Sequence, residues 1–252
     1  MIPESGISKI PNITLLFWIT KICATTLGET AGDLLAQTMQ VGYGTSTLIL
    51  ITFFLIALFT QLFMKEYHPA IYWLVILSTS TAGTTMSDYM DRTLEMGYAL
   101  GSIFLIALLT LTLNIWRKTE KSISVSNIHS VRAETFYWMA ILISNTLGTA
   151  LGDFLADDSG LGFSGGALLI ASMLLVIVLT YYFTKISTVL LFWIAFVLTR
   201  PFGATFGDLL TKPVSKGGLN FGTMGSSAFL FTILLILVIH EISIIQKRKK
   251  LQ

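Results

Sequence analysis

Glu29 and Asp33 stand one helical turn apart in the stretch GETAGD, at the far end of an apolar run that begins near Ile13. Carboxylates at membrane depth are costly and face a bundle interior, a wet cavity or a counter-charge. Three more aspartates share that setting, because Asp88, Asp153 and Asp208 each close an apolar stretch. Carboxylate, hydroxyl and amide oxygens are hard ligands suited to Mg²⁺, Mn²⁺, Ca²⁺ or protons. The candidate metal ligands are therefore Glu29, Asp33, Asp88, Asp153 and Asp208. His68, His129 and His240 fall far from the aspartates in sequence, and Cys23 stands alone, so nothing argues for zinc or copper.

The four aspartates belong to a repeat. Trp18, Trp73, Trp138 and Trp193 each precede an aspartate by fifteen positions, in WITKICATTLGETAGD, WLVILSTSTAGTTMSD, WMAILISNTLGTALGD and WIAFVLTRPFGATFGD. Gly28, Gly83, Gly148 and Gly203 follow the tryptophans by ten positions, and a small residue stands directly before each aspartate. Ten residues after the first three aspartates comes an aromatic preceded by glycine: Tyr43, Tyr98 and Phe163. A longer loop delays the fourth, read here as Phe221 after Asn220. Self-similarity at a fixed period marks a repeat architecture.

Spacing of i, i+4, i+8 puts three residues on one helical face. The stripes are Thr25–Glu29–Asp33, Ser80–Thr84–Asp88, Asn145–Thr149–Asp153 and Arg200–Ala204–Asp208, with Lys21 one turn before the first. Lys21, Thr25, Ser80, Thr84, Asn145, Thr149 and Arg200 are the expected supporting polar groups and counter-charges, and Glu29 is expected to pair with Arg200 across the bundle. Five carboxylates against Lys21 and Arg200 give −3 if all are ionised, which calls for protonation or a bound cation. Pro201 removes a backbone donor and frees a carbonyl one turn back. The small-xxx-small pairs, Gly28/Gly32 and their counterparts, read as close helix packing. The tryptophans read as anchors or packing residues.

The elements that must carry these stripes are membrane helices. The chain has 252 residues, 54% of them hydrophobic and only 12% charged. Apolar runs of about twenty residues, each long enough to cross hydrocarbon, recur near 13–36, 45–64, 71–90, 98–116, 135–156, 165–184, 189–210 and 224–243. The fold expected is all-α and polytopic: one transmembrane domain over 1–252 made of four two-helix repeats, near 13–64, 71–116, 135–184 and 189–243. Repeats of two spans keep one orientation, so the copies should be related by pseudo-fourfold or pseudo-twofold rotation about the membrane normal. The odd helices carry the polar stripes and the even ones almost nothing polar, which predicts odd helices inside and even helices outside.

Lys9, Lys65, Arg117, Lys118, Lys121, Arg132, Lys185 and the tail Lys247–Lys250 fall on one side of the spans, and Arg92, Lys212 and Lys216 on the other. The positive-inside rule then puts both termini in the cytoplasm. The N-terminal MIPESGISKIPN lacks the pattern of a cleaved signal, so the first helix should stay.

A lone Gly-Asp at a helix end reads as turn chemistry or a cap. Four in register, with Glu29 one turn deeper, read as a cation or proton site. The leading expectation is a secondary transporter for a hard divalent cation, Mn²⁺ foremost and Mg²⁺ next, exchanging it for protons. The alternative is a non-transporting scaffold or sensor whose polar ring is structural. No nucleophile–His pair, HExxH pattern or phosphate loop is present, so no enzyme is expected. Nor is a tightly bound cofactor, and the metal enters as substrate. Expected partners are membrane lipid, the metal cation and protons, with a homodimer compatible and nucleic acid excluded.

Four tandem two-helix repeats, each with Trp followed by Gly and Asp, resemble a group of bacterial integral membrane proteins whose repeat has no assigned function. The resemblance spans nearly the whole chain. It implies an eight-span bacterial inner-membrane protein and carries over no binding residue.

Overall fold

The structure, a computed structural model, describes residues 9–125, 128 and 130–250, without the side chains of Lys249 and Lys250; His129 lies outside the described residues. Every long element is a helix: α1 (Leu15–Asp33), α2 (Tyr43–Phe63), α3 (Pro69–Asp88), α4 (Tyr98–Glu120), α5 (Val131–Asp153), α6 (Gly162–Phe183), α7 (Thr188–Thr211) and α8 (Thr223–Lys250). Thr14 and Ser130 start α1 and α5 by accepting from the Phe17 and Ala133 amides, and Pro69 opens α3 at a position where no amide donor is needed. Among the described residues, six helices are long and apolar enough to cross a membrane: α2, α4, α5, α6, α7 and α8.

The other two, α1 and α3, fall short in apolarity for a physical reason. Most of their residues are buried against protein, so Lys21, Glu29 and Asp33 in α1 and the run LSTSTAGTTMSD in α3 need never meet lipid. The even helices are the reverse. α2 and α6 bury only four residues each and expose Leu, Ile and Phe around most of their girth. Mid-helix hydroxyls on them bond back one turn, as Thr52 does to the Leu48 carbonyl and Thr180 to that of Val176, which satisfies them within their own helix.

α1 packs on α3, α3 on α5, α5 on α7, and α7 on α1, closing a ring of odd helices. α2, α4, α6 and α8 lie against α3, α5, α7 and α1 respectively. Glycine makes the ring possible. A Cβ at Gly83 would lie 2.9 Å from the Asn145 backbone carbon; at Gly203, 2.9 Å from that of Thr25; at Gly152, 2.8 Å from the Ala204 Cβ. At Gly28 and Gly148 it would overlap Ser80 and Arg200. Each odd helix thus offers bare backbone to the polar stripe of the next, which is how small residues bring helix axes together.

Beyond each of the first three aspartates the helix widens into a π turn: Leu34–Thr38, Tyr89–Thr93 and Phe154–Asp158. The aspartates therefore lie within continuous helix, and Asp33, Asp88 and Asp153 cap nothing with their side chains. Left-handed backbone then turns the chain back at Gln40/Gly42, Glu95/Gly97, Gly160/Gly162 and Asn220/Gly222. This corrects the alignment of the fourth repeat. Gly222, not Asn220, matches Gly42, and the Ser226 amide donates to its carbonyl as the Ser46 amide does to that of Gly42. The fourth repeat replaces its π turn with a longer loop holding the short 3₁₀ turn Val214–Lys216.

Candidate cation site

Glu29 sits where all four odd helices meet. Its Oε2 accepts from Arg200 Nη2 of α7 at 2.9 Å, Thr84 Oγ1 of α3 at 3.2 Å and Thr149 Oγ1 of α5 at 3.4 Å. The same Nη2 donates to Thr84 Oγ1 at 2.6 Å and Thr149 Oγ1 at 2.7 Å. Glu29 is 3% exposed and Arg200 0%, so this is a buried ion pair, held by hydroxyls from the two remaining helices. Nε and Nη1 of Arg200 have no protein partner among the described residues. Its guanidinium is thus only half satisfied, and buried donors left unmade cost about 1–3 kcal/mol each.

One turn further along lies the aspartate tier, with Asp33, Asp88, Asp153 and Asp208 all buried. Two cations tie it together in pairs. Arg92 Nε reaches Asp88 Oδ1 at 2.8 Å and Arg92 Nη2 reaches Asp153 Oδ2 at 2.9 Å. Lys212 Nζ reaches Asp33 Oδ2 at 2.7 Å and Asp208 Oδ1 at 3.1 Å. Burial alone would lower the Lys212 pKa, but Asp208 and Asp33 outweigh it and raise it above the usual lysine value. Each cation follows its own aspartate by four residues and crosses to the aspartate of the next helix. The matching positions in the other repeats are Gln37, which bonds Asp33, and Asp157, which faces the Tyr98 hydroxyl.

These two cations revise the charge balance. The expected −3 treated Arg92 and Lys212 as outer-loop charges. With them in the tier, three cations, Arg92, Arg200 and Lys212, bond the five carboxylates, and Lys21 would be a fourth if charged. Their i, i+4 spacing to Asp88 and Asp208 was the sequence signal that could have found them.

The five acidic residues do not form one set. Oxygens of Glu29, Asp33 and Asp208 lie within 4.8 Å of one another, close enough to bracket an ion with ligand distances of about 2.1–2.6 Å. Asp88 and Asp153 stand apart from that group, joined by Arg92. Among the supporting residues, Thr84 and Thr149 reach Glu29 directly. Thr25 donates to the Thr199 carbonyl at 3.3 Å, Ser80 to the Thr25 carbonyl at 3.5 Å, and Asn145 to Thr79 Oγ1 at 2.9 Å, so these three join helices and not ligands. Lys21 reaches no carboxylate. Its Nζ lies 3.6 Å from the Phe196 ring centre and has no hydrogen-bond acceptor among the described residues. A cation–π contact is worth about 2 kcal/mol when desolvated, less than the several kcal/mol of burying an unpaired ammonium.

Toward the helix starts, an aromatic layer closes the ring. Phe17 packs on Trp73 at 5.6 Å, Tyr72 on Trp138 at 5.5 Å, Tyr137 on Trp193 at 6.3 Å and Phe192 back on Phe17 at 6.4 Å. The Tyr72 and Tyr137 hydroxyls share a 2.6 Å hydrogen bond at its centre. Trp73, Trp138 and Trp193 are therefore packing residues of this layer, and Trp18 is only half-buried. At the opposite end the cations remain partly open, with 34% of the Arg92 side chain and 19% of Lys212 accessible.

Sequence reasoning did not single out Glu134 and Glu241, both near the other end. Glu134 is buried and held by Lys9 at 2.9 Å and Gln61 at 3.2 Å; Glu241 accepts from Tyr67 and Trp73. Both tie helix ends together.

A family model described as a Repeat of Unknown Function (DUF347) matches four times in tandem, over residues 16–67, 71–122, 136–187 and 191–243. No curated protein and no solved structure matches the chain. The chain belongs to that repeat family.

Proposed function

We propose that this member of the repeat family is a secondary transporter for a hard divalent cation, Mn²⁺ foremost, which it exchanges for protons across a bacterial inner membrane. The observation that carries the reading is the grouping of Glu29, Asp33 and Asp208, three buried carboxylates from the two adjoining helices α1 and α7. Each is neutralised by a cation on the protein's own chain, Arg200 or Lys212. A tethered cation is a stand-in for a mobile one. An arriving divalent ion displaces Arg200 and Lys212 from the carboxylates, and its departure lets them return. Glu29, Asp33 and Asp208 then alternate between the metal and the tethered cations, as pathway carboxylates in membranes do.

The remaining geometry supports this use. Both α1 and α3 complete a set of eight spans once their polar residues are turned inward, which gives four hairpins related by rotation about the membrane normal. The basic residues then put both termini in the cytoplasm, so the aromatic layer shuts the cytoplasmic half while the aspartate tier faces outward. Pro201, on the same turn as Arg200, interrupts the backbone ladder of α7 and gives the helix a place to bend. In proteoliposomes, Glu29→Gln/Arg200→Met, which removes both partners of the buried pair, should abolish Mn²⁺ flux while leaving the protein folded; unchanged flux would remove the role.

One observation favours a structural scaffold instead: Arg92 and Lys212 each clamp two neighbouring helices, as a lock would. Neutralising the aspartates separates the two. A scaffold loses stability and shows no ion-dependent change, whereas a transporter loses its response to Mn²⁺.

A further inference from the structure

Lys21 takes no part in the carboxylate network. It lies two turns before Glu29 on the same face of α1, is completely buried, and has no acceptor for Nζ among the described residues. Its neighbour is the face of Phe196, at the top of the aromatic layer. An ammonium presents three donors and needs acceptors or water for them; an amine needs far less. Enclosed here, an ammonium would have no counter-ion and no protein acceptor among the described residues, which favours the uncharged form.

The surroundings give no relief. α1 packs against α3, α7 and α8. From α7 the facing charge is Arg200, which is of like sign. The ionisable side chains of α3 are Tyr72 and Asp88, taken up by Tyr137 and Arg92. The described ionisable side chains of α8 are His240, Glu241, Lys247 and Arg248. Glu241 accepts from Tyr67 and Trp73, and none of these groups bonds Lys21.

We propose that Lys21 is the proton-carrying residue of the cation site, an amine that α1 and α7 enclose without its proton when the ring is closed and that takes one up from water when they part. The coupling rests on the transporter reading above, and charge balance supplies it. With every carboxylate ionised, Glu29 and the four aspartates face Arg92, Arg200 and Lys212, so the ring lacks two positive charges while Lys21 is an amine. One divalent cation fills that deficit, and a proton on Lys21 halves it. Ion and proton thus compete for one imbalance from different depths, which is the condition for exchange.

Two measurements test this on the full chain in lipid. In the first, ¹⁵N-lysine spectra are recorded at about pH 8, where solvated lysines are charged. One Nζ signal should have the shift of an uncharged amine and vanish in Lys21→Met; a spectrum of charged signals alone overturns the proposal. In the second, Mn²⁺ counterflow and Mn²⁺ uptake driven by a pH gradient are compared in proteoliposomes. Lys21→Met should keep counterflow and lose the gradient's effect, and a variant still driven by the gradient overturns the coupling. Wild-type protein that moves no Mn²⁺ at all defeats the transporter reading instead, and leaves the amine to be judged by its spectrum.

Discussion

Arg200 Nη2 lies 2.9 Å from Glu29 Oε2, joining the fourth repeat to the first where the ring of odd helices closes. The equivalent layers elsewhere carry Thr84, Thr149 and Ala204 beside Glu29, and Thr25, Ser80 and Asn145 beside Arg200. The one full charge of each sign thus falls on adjoining helices. Removing one partner of a buried pair leaves the other uncompensated, which costs about 3–5 kcal/mol, whereas removing both is far milder. Arg200→Met should therefore lower the unfolding midpoint strongly and Glu29→Gln/Arg200→Met should recover much of the loss. Thermal unfolding of both variants checks this. Additive losses would show that the pair does not act as a unit.

Lys212 and Arg92 should behave differently toward metal although they look alike. Lys212 occupies Asp33 and Asp208, two of the three grouped carboxylates, while Arg92 holds Asp88 and Asp153 outside that group. Lys212→Gln removes a competing cation and should enlarge the thermal stabilisation by Mn²⁺, which grows with affinity. Arg92→Gln should destabilise the apo protein without enlarging that shift. Equal shifts in the two variants would count against the asymmetric site.

Gly148→Ala should be among the most damaging single-methyl additions in the chain. The new Cβ would overlap Arg200 and sit 3.0 Å from Pro201 Cδ, next to the ion pair. Overpacking of this sort costs about 1–3 kcal/mol. Gly225→Ala, with nothing within 4 Å, is the control and should hold or raise the midpoint, since alanine favours helix by about 1 kcal/mol. Comparable losses at the two positions would mean that helix contact is not what the repeat's glycines serve.

Eight spans with both termini inside make a labelling prediction. Met39→Cys and Ser159→Cys, both exposed at the aspartate end, should react with an impermeant maleimide from outside intact cells. Lys65→Cys and Lys185→Cys, exposed at the other end, should react only after lysis. The natural Cys23 is buried against the Leu230 carbonyl and should stay silent. Labelling of all four from one side would exclude the arrangement.

The repeat, the polar stripes and the helix pattern were legible in the sequence because each rests on periodic spacing. Trp, Gly and Asp recur at fixed offsets, and the residues that follow one another every fourth position are buried together in the structure. What escaped is what periodicity does not encode. The π turns after Asp33, Asp88 and Asp153 carry no proline to announce them, so the aspartates looked like helix ends when they lie within continuous helix. Arg92 and Lys212 were hidden by their place just past the apolar runs, where a charge normally reads as a solvated loop residue. Lys21 lies on the Glu29 stripe, but a stripe fixes a face and not a partner, and its side chain turns to Phe196 and away from the carboxylates.

The central claim is that Glu29, Asp33 and Asp208 together hold a divalent cation, and anomalous diffraction at the manganese edge from protein crystallised with Mn²⁺ tests it most directly. The account predicts one strong peak within ligand distance of those three carboxylates, with Lys212 Nζ drawn away from Asp33. A fully loaded crystal with no peak there, or with manganese only between Asp88 and Asp153, would contradict it.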